Sequence, residues 1–259
     1  MKRKEISVIV SQKEIATGIF DIRLRTPMAK EAKPGQFVGV YPKDKSRLLS
    51  RPISICEADP GEEILRLVYR AGGAGTKEIS AYAQGETLDL LGVLGNGYDV
   101  EKMRDKDVIL LGGGIGIPPM LYTAQALRGI AKSMVVVLGY ADCSLFLRED
   151  FDRVTKTVIA TMDGSVGTKG TVIDALEAEG ITGEVVLACG PMPMLKAVKK
   201  YASEHGMEAY ISLEERMACG IGACLGCVTR TVETDHHTHV KNTRICTEGP
   251  VFDARDVDL

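Results

Sequence analysis

Glu214-Glu215-Arg216-Met217-Ala218-Cys219-Gly220-Ile221-Gly222-Ala223-Cys224-Leu225-Gly226-Cys227 is the stretch from which the architecture of this 259-residue chain is read, and Cys246 follows it after an intervening eighteen residues, 228–245. The spacing, C-x4-C-x2-C with a remote fourth cysteine, is that of a loop that holds a [2Fe–2S] cluster. Three thiolates so close in sequence converge on one point only if the chain turns tightly with backbone N–H groups facing inward. Gly220, Gly222 and Gly226 permit those turns, because glycine reaches φ > 0 without steric cost. Inward amides also stabilise negative charge on the cluster sulfurs. Cys219, Cys224, Cys227 and Cys246 are therefore the candidate metal ligands. Two other readings compete. A zinc-bound interaction module would use the same four cysteines, although zinc ribbons usually present two separate C-x2-4-C knuckles. Paired disulfides would need an oxidising compartment and a small, core-poor domain.

Composition argues against the disulfides. The chain is 45% hydrophobic and 26% charged with a net charge of −3, the profile of an ordinary soluble globular protein with no electrostatic footprint for nucleic acid. Its length is large for one core and suggests two domains with a small appendage. Met1-Lys2-Arg3-Lys4 looks like the basic start of a signal peptide, but the apolar run after it breaks at Ser11-Gln12-Lys13 without a cleavage site. No run approaches the ~18 apolar residues that would cross a bilayer, so no membrane partner is expected. The expected location is cytoplasmic, where thiols stay reduced and clustered cysteines read as metal ligands. Cys56, Cys143 and Cys189 lie outside the run and read as small buried hydrophobes.

Residues 1–98 read as antiparallel β structure. Strict alternation in Phe20-Asp21-Ile22-Arg23-Leu24-Arg25 and Leu65-Arg66-Leu67-Val68-Tyr69-Arg70 gives strands with one buried face. Ile6–Val10, Gln36–Val40, Pro52–Cys56 and Thr87–Leu91 are further strands, separated by turns such as Lys33-Pro34-Gly35 and Asp59-Pro60-Gly61. Six short strands and one helix near Thr76–Ala83 predict a small closed barrel.

Two stretches of the barrel carry chemistry. In Arg51-Pro52-Ile53-Ser54, Arg supplies a fixed fork of donors for a phosphate, Pro sets the entry to a strand, and Ser offers a hydroxyl to a ring edge. Tyr69-Arg70-Ala71-Gly72-Gly73-Ala74-Gly75-Thr76 runs from a strand through a glycine loop into a helix start, where free N–H groups can hold a pyrophosphate. Together they describe a flavin nucleotide site. Gly92-Val93-Leu94-Gly95-Asn96-Gly97-Tyr98 closes the barrel and leads into charged residues without a helix start, so an inter-domain hinge is expected there.

Residues 99–210 alternate strands and helices. Strands are predicted at Val108–Leu111, Met134–Tyr140, Thr157–Thr161, Glu184–Ala188 and Ala209–Leu213, with helices at Pro118–Arg128, Val172–Ala178 and Met192–Glu204. Such alternation indicates a parallel sheet covered on both faces, with ligands at the carboxyl ends of its strands. Those ends carry Gly112-Gly113-Gly114-Ile115-Gly116-Ile117-Pro118-Pro119 and Cys189-Gly190-Pro191-Met192-Pro193-Met194. The first departs from the dinucleotide fingerprint, since Ile117 stands where a third glycine belongs, but Pro118 suits the first turn of a helix whose free N–H groups face a phosphate. No clear ribose-binding acid follows the second strand; Asp142 is close to that place, and a helix N-cap is its equal alternative.

The order of these motifs, a barrel with R-P-x-S, a nucleotide domain with G-G-G-x-G-x-x-P and C-G-P, then E-E-R-M-x-C-G-x-G-x-C-x-G-C, resembles the electron-transfer subunits of class 1B, NAD-dependent dihydroorotate dehydrogenases. The front two domains alone resemble the wider ferredoxin–NADP⁺ reductase superfamily. The resemblance implies an FAD-binding barrel at 1–98, an NAD-binding α/β domain at 99–210 and a small [2Fe–2S] domain at 211–259. It implies FAD contacts from Arg51, Pro52, Ile53, Ser54, Val68, Tyr69, Arg70, Gly75 and Thr76, and cluster ligation by the four cysteines named above. Gly113, Gly114, Gly116, Cys189, Gly190, Pro191 and Met192 are the candidate NAD contacts, with Cys189 a candidate for positioning the nicotinamide. Nicotinamide takes a hydride, an iron–sulfur centre passes single electrons, and a flavin converts between the two. The implied partner is a separate FMN-containing catalytic subunit that oxidises dihydroorotate to orotate for pyrimidine biosynthesis. Two of each subunit would form a heterotetramer, with electrons passing through the cluster and FAD to NAD⁺. A similar subunit of another complex, a sulfhydrogenase or an NADH-dependent ferredoxin:NADP⁺ oxidoreductase, is the alternative. His236, His237 and His239 lie between the third and fourth cysteines, at the expected tip of an exposed hairpin.

Overall fold

A computed structural model of the chain describes residues 3–234 and 239–259. Strands β1 (Arg3–Ala16), β2 (Ile19–Arg25), β3 (Phe37–Tyr41), β4 (Arg51–Asp59), β5 (Ile64–Arg70) and β6 (Thr87–Leu94) close a barrel in the order β1-β2-β5-β4-β3-β6, with helix α1 (Ala74–Ile79) between β5 and β6. All six ladders are antiparallel. The expected closed barrel is therefore present. Its alternating strands turn Ile22, Leu24, Leu65 and Leu67 into a sealed interior together with Ile9, Val38 and Leu90.

The second layer is a sheet built from β7 (Asp107–Gly113), α2 (Ile117–Leu127), β8 (Ser133–Tyr140), α3 (Arg148–Asp152), β9 (Lys156–Thr161), β10 (Thr168–Lys169), α4 (Val172–Ala178), β11 (Val185–Cys189), α5 (Met192–Glu204) and β12 (Glu208–Ser212). β10-β9-β8-β7-β11-β12 run parallel. β7 reads as an unbroken apolar run because both of its faces are covered. Ile109 and Leu111 meet α4 and α5, whereas Val108 and Leu110 meet Ile117, Met120 and Leu121 of α2. Each of those fully buried α2 side chains is worth roughly 1.5–3 kcal/mol relative to exposure. The α2 face also packs on Ile19, Cys56 and Val68 of the barrel, so the two layers share a core.

The small C-terminal domain also reaches into the large sheet. β13 (Val228–Arg230) and β14 (Asn242–Arg244) form a two-stranded ladder, and β15 (Val251–Asp253) pairs antiparallel with β12 as the edge of the large sheet. The expected boundary between 210 and 211 falls inside β12, which ends at Ser212. The tail is thus anchored by its own strand to the sheet it was expected to follow. The expected tip at His236 and His237 lies outside the described residues, although the strands on either side of it do pair.

Gly92–Tyr98 is packed rather than free to hinge. Asn96 N donates to Gly249 O at 2.6 Å and its side chain to Thr247 O at 2.9 Å, while Tyr98 N donates to Pro34 O at 2.9 Å and Tyr98 Oη to Ala188 O at 2.9 Å. One short segment therefore binds barrel, sheet and tail. Among the described residues, no helix is long and apolar enough to cross a membrane.

Candidate functional site

Two cavities meet where the barrel faces the carboxyl ends of the sheet strands. The smaller, about 550 Å³, has Arg51–Ser54 of β4 and Val68–Arg70 of β5 on one wall. Its other wall is the Gly113–Gly116 turn after β7 and the Cys189–Pro191 turn after β11, and its floor reaches Ser212, Glu214 and Met217. Arg51 through Ser54 are each half-buried and line this cavity. Of the expected FAD residues, Gly75 alone does not line it. Its part is indirect: a Cβ there would overlap the Arg51 guanidinium, so glycine lets Arg51 lie on the first turn of α1. Thr76 Oγ1 closes that turn on Gly73 N and O at 3.1 Å each. The Tyr69 hydroxyl donates to Gln12 Oε1 at 3.0 Å, and burial raises its pKa.

The larger cavity, about 720 Å³, lies across the Gly113–Gly114 wall and shares Arg70 and Pro191 with the first. It extends to Tyr140–Asp142 and Ser144 beyond β8, and to Thr171–Ile173 at the start of α4. Gly113, Gly114 and Pro191 among the expected NAD residues touch both cavities, while Gly116, Cys189 and Gly190 touch the smaller one. Met192 lines neither. Most of the larger cavity was not foreseen from sequence, because its walls come from strand ends that only the sheet order brings together. No helix starts at Asp142. Its Oδ1 accepts from Ser144 N at 2.8 Å to close a turn, and Leu147 is the N-cap of the next helix. Cys143, expected to be buried, is exposed.

Cys189 ends β11 with Gly112 of β7 and Ser212 of β12 as its register partners. Burial pushes its thiol up to about 12, against a smaller opposing effect of the Ser212 hydroxyl. It is a neutral thiol at physiological pH, fit to contact a ring and not to attack it.

The cysteine loop sits beside the smaller cavity. Gly220 and Gly222 have φ of +67° and +86°, the left-handed turns the loop needs, and a Cβ at Gly220 would stand 3.2 Å from Leu94 of the barrel. Ile221 N and Ala223 N donate to Cys219 Sγ at 3.5 and 3.3 Å, and Gly226 N to Cys224 Sγ at 3.4 Å. Desolvation raises the Cys219 thiol, but the Ile221 amide, Cys224 and the Ala223 amide outweigh it and bring it down to about 6. Burial and then Cys227 push Cys246 up. Cys219 feels Cys224, and Cys246 feels both Cys227 and Cys219, so the four thiols gather in one neighbourhood. Among the described residues, no three His, Cys, Asp or Glu side chains converge on a single ion position. Four gathered thiols, with backbone amides donating to Cys219 and Cys224, fit a [2Fe–2S] cluster, which takes four cysteine ligands and whose sulfur charge such amides stabilise.

The sequence profile of the iron–sulfur cluster binding domain of dihydroorotate dehydrogenase B matches residues 214–258. The dihydroorotate dehydrogenase B (NAD(+)) electron transfer subunit of Lysinibacillus sphaericus is 40% identical over 262 residues, covering 100% of both chains. That of Shouchella clausii is also 40% identical, covering 100% of this chain and 99% of its own. Among solved structures, a chain of an NADH-dependent reduced ferredoxin-NADP oxidoreductase is 29% identical with a TM-score of 0.88, over 98% of this chain and 90% of that one. A ferredoxin NADP+ reductase from Neisseria gonorrhoeae, 17% identical over 82% of this chain and 94% of its own, shares the fold with a TM-score of 0.67. Identity at the level of the two bacterial subunits, from end to end, settles the family: the chain belongs to the electron transfer subunits of dihydroorotate dehydrogenase B.

Proposed function

We propose that this chain serves as the electron-transfer subunit of a dihydroorotate dehydrogenase B, linking a catalytic partner subunit to NAD⁺ in pyrimidine biosynthesis. The observation that carries the reading is adjacency. The segment Ser212–Met217 is at once the floor of the smaller cavity and the lead into the cysteine loop, so a ring in that cavity lies next to the loop. When bound, a flavin exchanges one or two electrons, a [2Fe–2S] cluster one, and nicotinamide a hydride.

In this reading Arg51 supplies the charge that holds a flavin phosphate against the start of α1, while Pro52, Ile53 and Ser54 face the ring system with Val68, Tyr69 and Arg70. Cys189, a protonated thiol on the wall of the smaller cavity, would contact a nicotinamide, with Gly190 and Pro191 leaving room for it. Gly113, Gly114 and Gly116 would leave room for the nucleotide phosphates at the shared wall, with Arg70 as the lining cation. Cys219, Cys224, Cys227 and Cys246 hold the cluster, and the amides donating to Cys219 and Cys224 offset its negative charge. In this reading nucleotides take both cavities found among the described residues, which leaves the oxidation of dihydroorotate to another chain. That oxidation belongs to an FMN-containing partner in the cytoplasm, as a heterotetramer of two catalytic and two electron-transfer subunits.

Affinity capture of the full chain from its own cells, with flavin quantified, tests this. Recovery of an FMN-containing partner that converts dihydroorotate to orotate with NAD⁺ is expected. Recovery of a hydrogenase or another reductase complex in its place would reject the reading.

A further inference from the structure

We propose that Asp142 selects a nicotinamide nucleotide whose adenosine ribose is unphosphorylated and rejects one carrying a 2′-phosphate. The proposal rests on the reading of the larger cavity as the nucleotide site. That cavity runs from Gly113 and Gly114 at the end of β7 to Asp142 and Ser144 beyond β8. β7 and β8 are parallel neighbours with Gly113 opposite Gly139, so the two ends of the cavity belong to adjacent strand ends. In a doubly wound sheet the amides after the first strand receive the pyrophosphate, and the adenosine ribose falls beside the carboxyl end of the next strand. Asp142 occupies that second place.

The chemistry at this end is one-sided. A ribose 2′-hydroxyl donates a hydrogen bond to a carboxylate, whereas a 2′-phosphate has acceptor oxygens and a charge of about −1.5 to −2. Asp142 is exposed on the cavity wall and is held below the usual carboxylate range by the Ser144 hydroxyl and amide, so it stays ionised. The carboxylate of Asp163, beyond the neighbouring strand β9, is close enough to repel it and is itself fixed by Ser165 N at 2.9 Å. A phosphate here would meet the Asp142 carboxylate, with the Asp163 charge close behind it. Arg70, the cation among the described lining residues, belongs to barrel strand β5 and lines both cavities together with Gly113 and Gly114.

The duller role for Asp142 is to close its turn on Ser144. Asp142→Asn separates the two, since an amide oxygen still accepts from Ser144 N and only the charge is removed. The flavin of full-length holoprotein would be reduced with NADH and with NADPH, in parallel with calorimetric titration using 5′-AMP and 2′,5′-ADP, which differ only in the 2′-phosphate. The native chain should favour NADH, and 5′-AMP over 2′,5′-ADP. Asp142→Asn should narrow both preferences at least about tenfold, the scale of one charge-assisted hydrogen bond. Adding Asp163→Asn should narrow them further, and Asp142→Ser, which keeps a turn-closing oxygen, should repeat the effect if the Asn variant is poorly folded. Unchanged preferences in folded variants would overturn the proposal. Failure of the native chain to bind either nucleotide would overturn it together with the reading of the cavity on which it rests.

Discussion

Arg66 Nη2 stands 3.3 Å from Asp150 Oδ2, joining strand β5 of the barrel to helix α3 of the sheet domain. The same guanidinium lies 2.9 Å from Asp21 within the barrel wall and 3.3 Å from Glu57, and the Arg66 and Asp21 side chains are only 7% and 3% exposed. Burial of this kind makes the pair worth less than its geometry suggests, yet removal of one partner leaves a desolvated charge behind. Arg66→Met should therefore destabilise the chain by ~3–5 kcal/mol in denaturant unfolding, and Asp21→Asn together with Arg66→Met should recover much of that. Asp150→Asn, at the half-exposed end, should cost no more than ~1 kcal/mol. Equal losses for the Asp150 and Arg66 variants would show that the inter-domain contact, and not the buried charge, carries the effect.

Two glycines of one turn are expected to fail in different ways. A Cβ on Gly116 would overlap the carbonyl group of Cys189, a backbone group with nowhere to move. Gly116→Ala should push the β11 turn into the smaller cavity, costing ~1–3 kcal/mol and leaving purified protein short of flavin. Gly114 has open space around its missing side chain but a φ of +52°, so Gly114→Ala should cost ~1–2 kcal/mol of backbone strain and retain more flavin. Flavin content per chain, read from the absorption spectrum, separates the two.

The barrel was legible because Phe20–Arg25 and Leu65–Arg70 alternate strictly, and a period of two has one meaning in a half-buried sheet. β1 was read too short for a related reason. Its polar Ser11-Gln12-Lys13 breaks the apolar pattern but not the strand, since Gln12 pairs with Ile22 and its side chain donates to Ile79 O and Tyr82 O at the end of α1. The cysteine loop was legible because its ligands are close in sequence. The far end of the larger cavity was not, because Asp142 and Thr171 become neighbours only through the order β9-β8-β7. β15 was hidden likewise: three residues carry no period, and what makes them a strand is the free edge of β12.

Thiol chemistry distinguishes Cys189 from Cys143. With its thiol pushed up to about 12 by burial, Cys189 keeps its proton, and the thiolate that reacts emerges only near that pH. Cys143 is exposed at the rim of the larger cavity, between two of its lining residues. Iodoacetamide at pH 8 should label Cys143 within minutes and leave Cys189 untouched over hours, as read by peptide mass spectrometry. The pH profile of flavin reduction should show no inflection from Cys189 between pH 6 and 9. Rapid labelling of Cys189 would mean that the thiol is open to solvent and ionised.

The cysteines differ in what else depends on them. Cys227 and Cys246 are buried, at 3% and 1% exposure, in the same core as Phe37 and Leu94, whereas Cys224 is exposed. Removing any one of them leaves one metal position with a single thiolate, so Cys224→Ala and Cys246→Ala should both fall from about two iron and two acid-labile sulfide per chain to near none. The metal-free chains should nevertheless differ from one another. Cys246→Ala adds a small packing defect of ~1 kcal/mol in the shared core, and Cys224→Ala adds none. Because Arg51, Ser54 and Arg70 stand on barrel strands whose ladders do not include the cysteine loop, both variants should keep their flavin and its reduction by NADH while failing to accept electrons from the catalytic partner. Iron and sulfide assays, with thermal melts of the metal-free variants, check each step. Stoichiometric zinc without labile sulfide in the native protein would remove the basis for all of it.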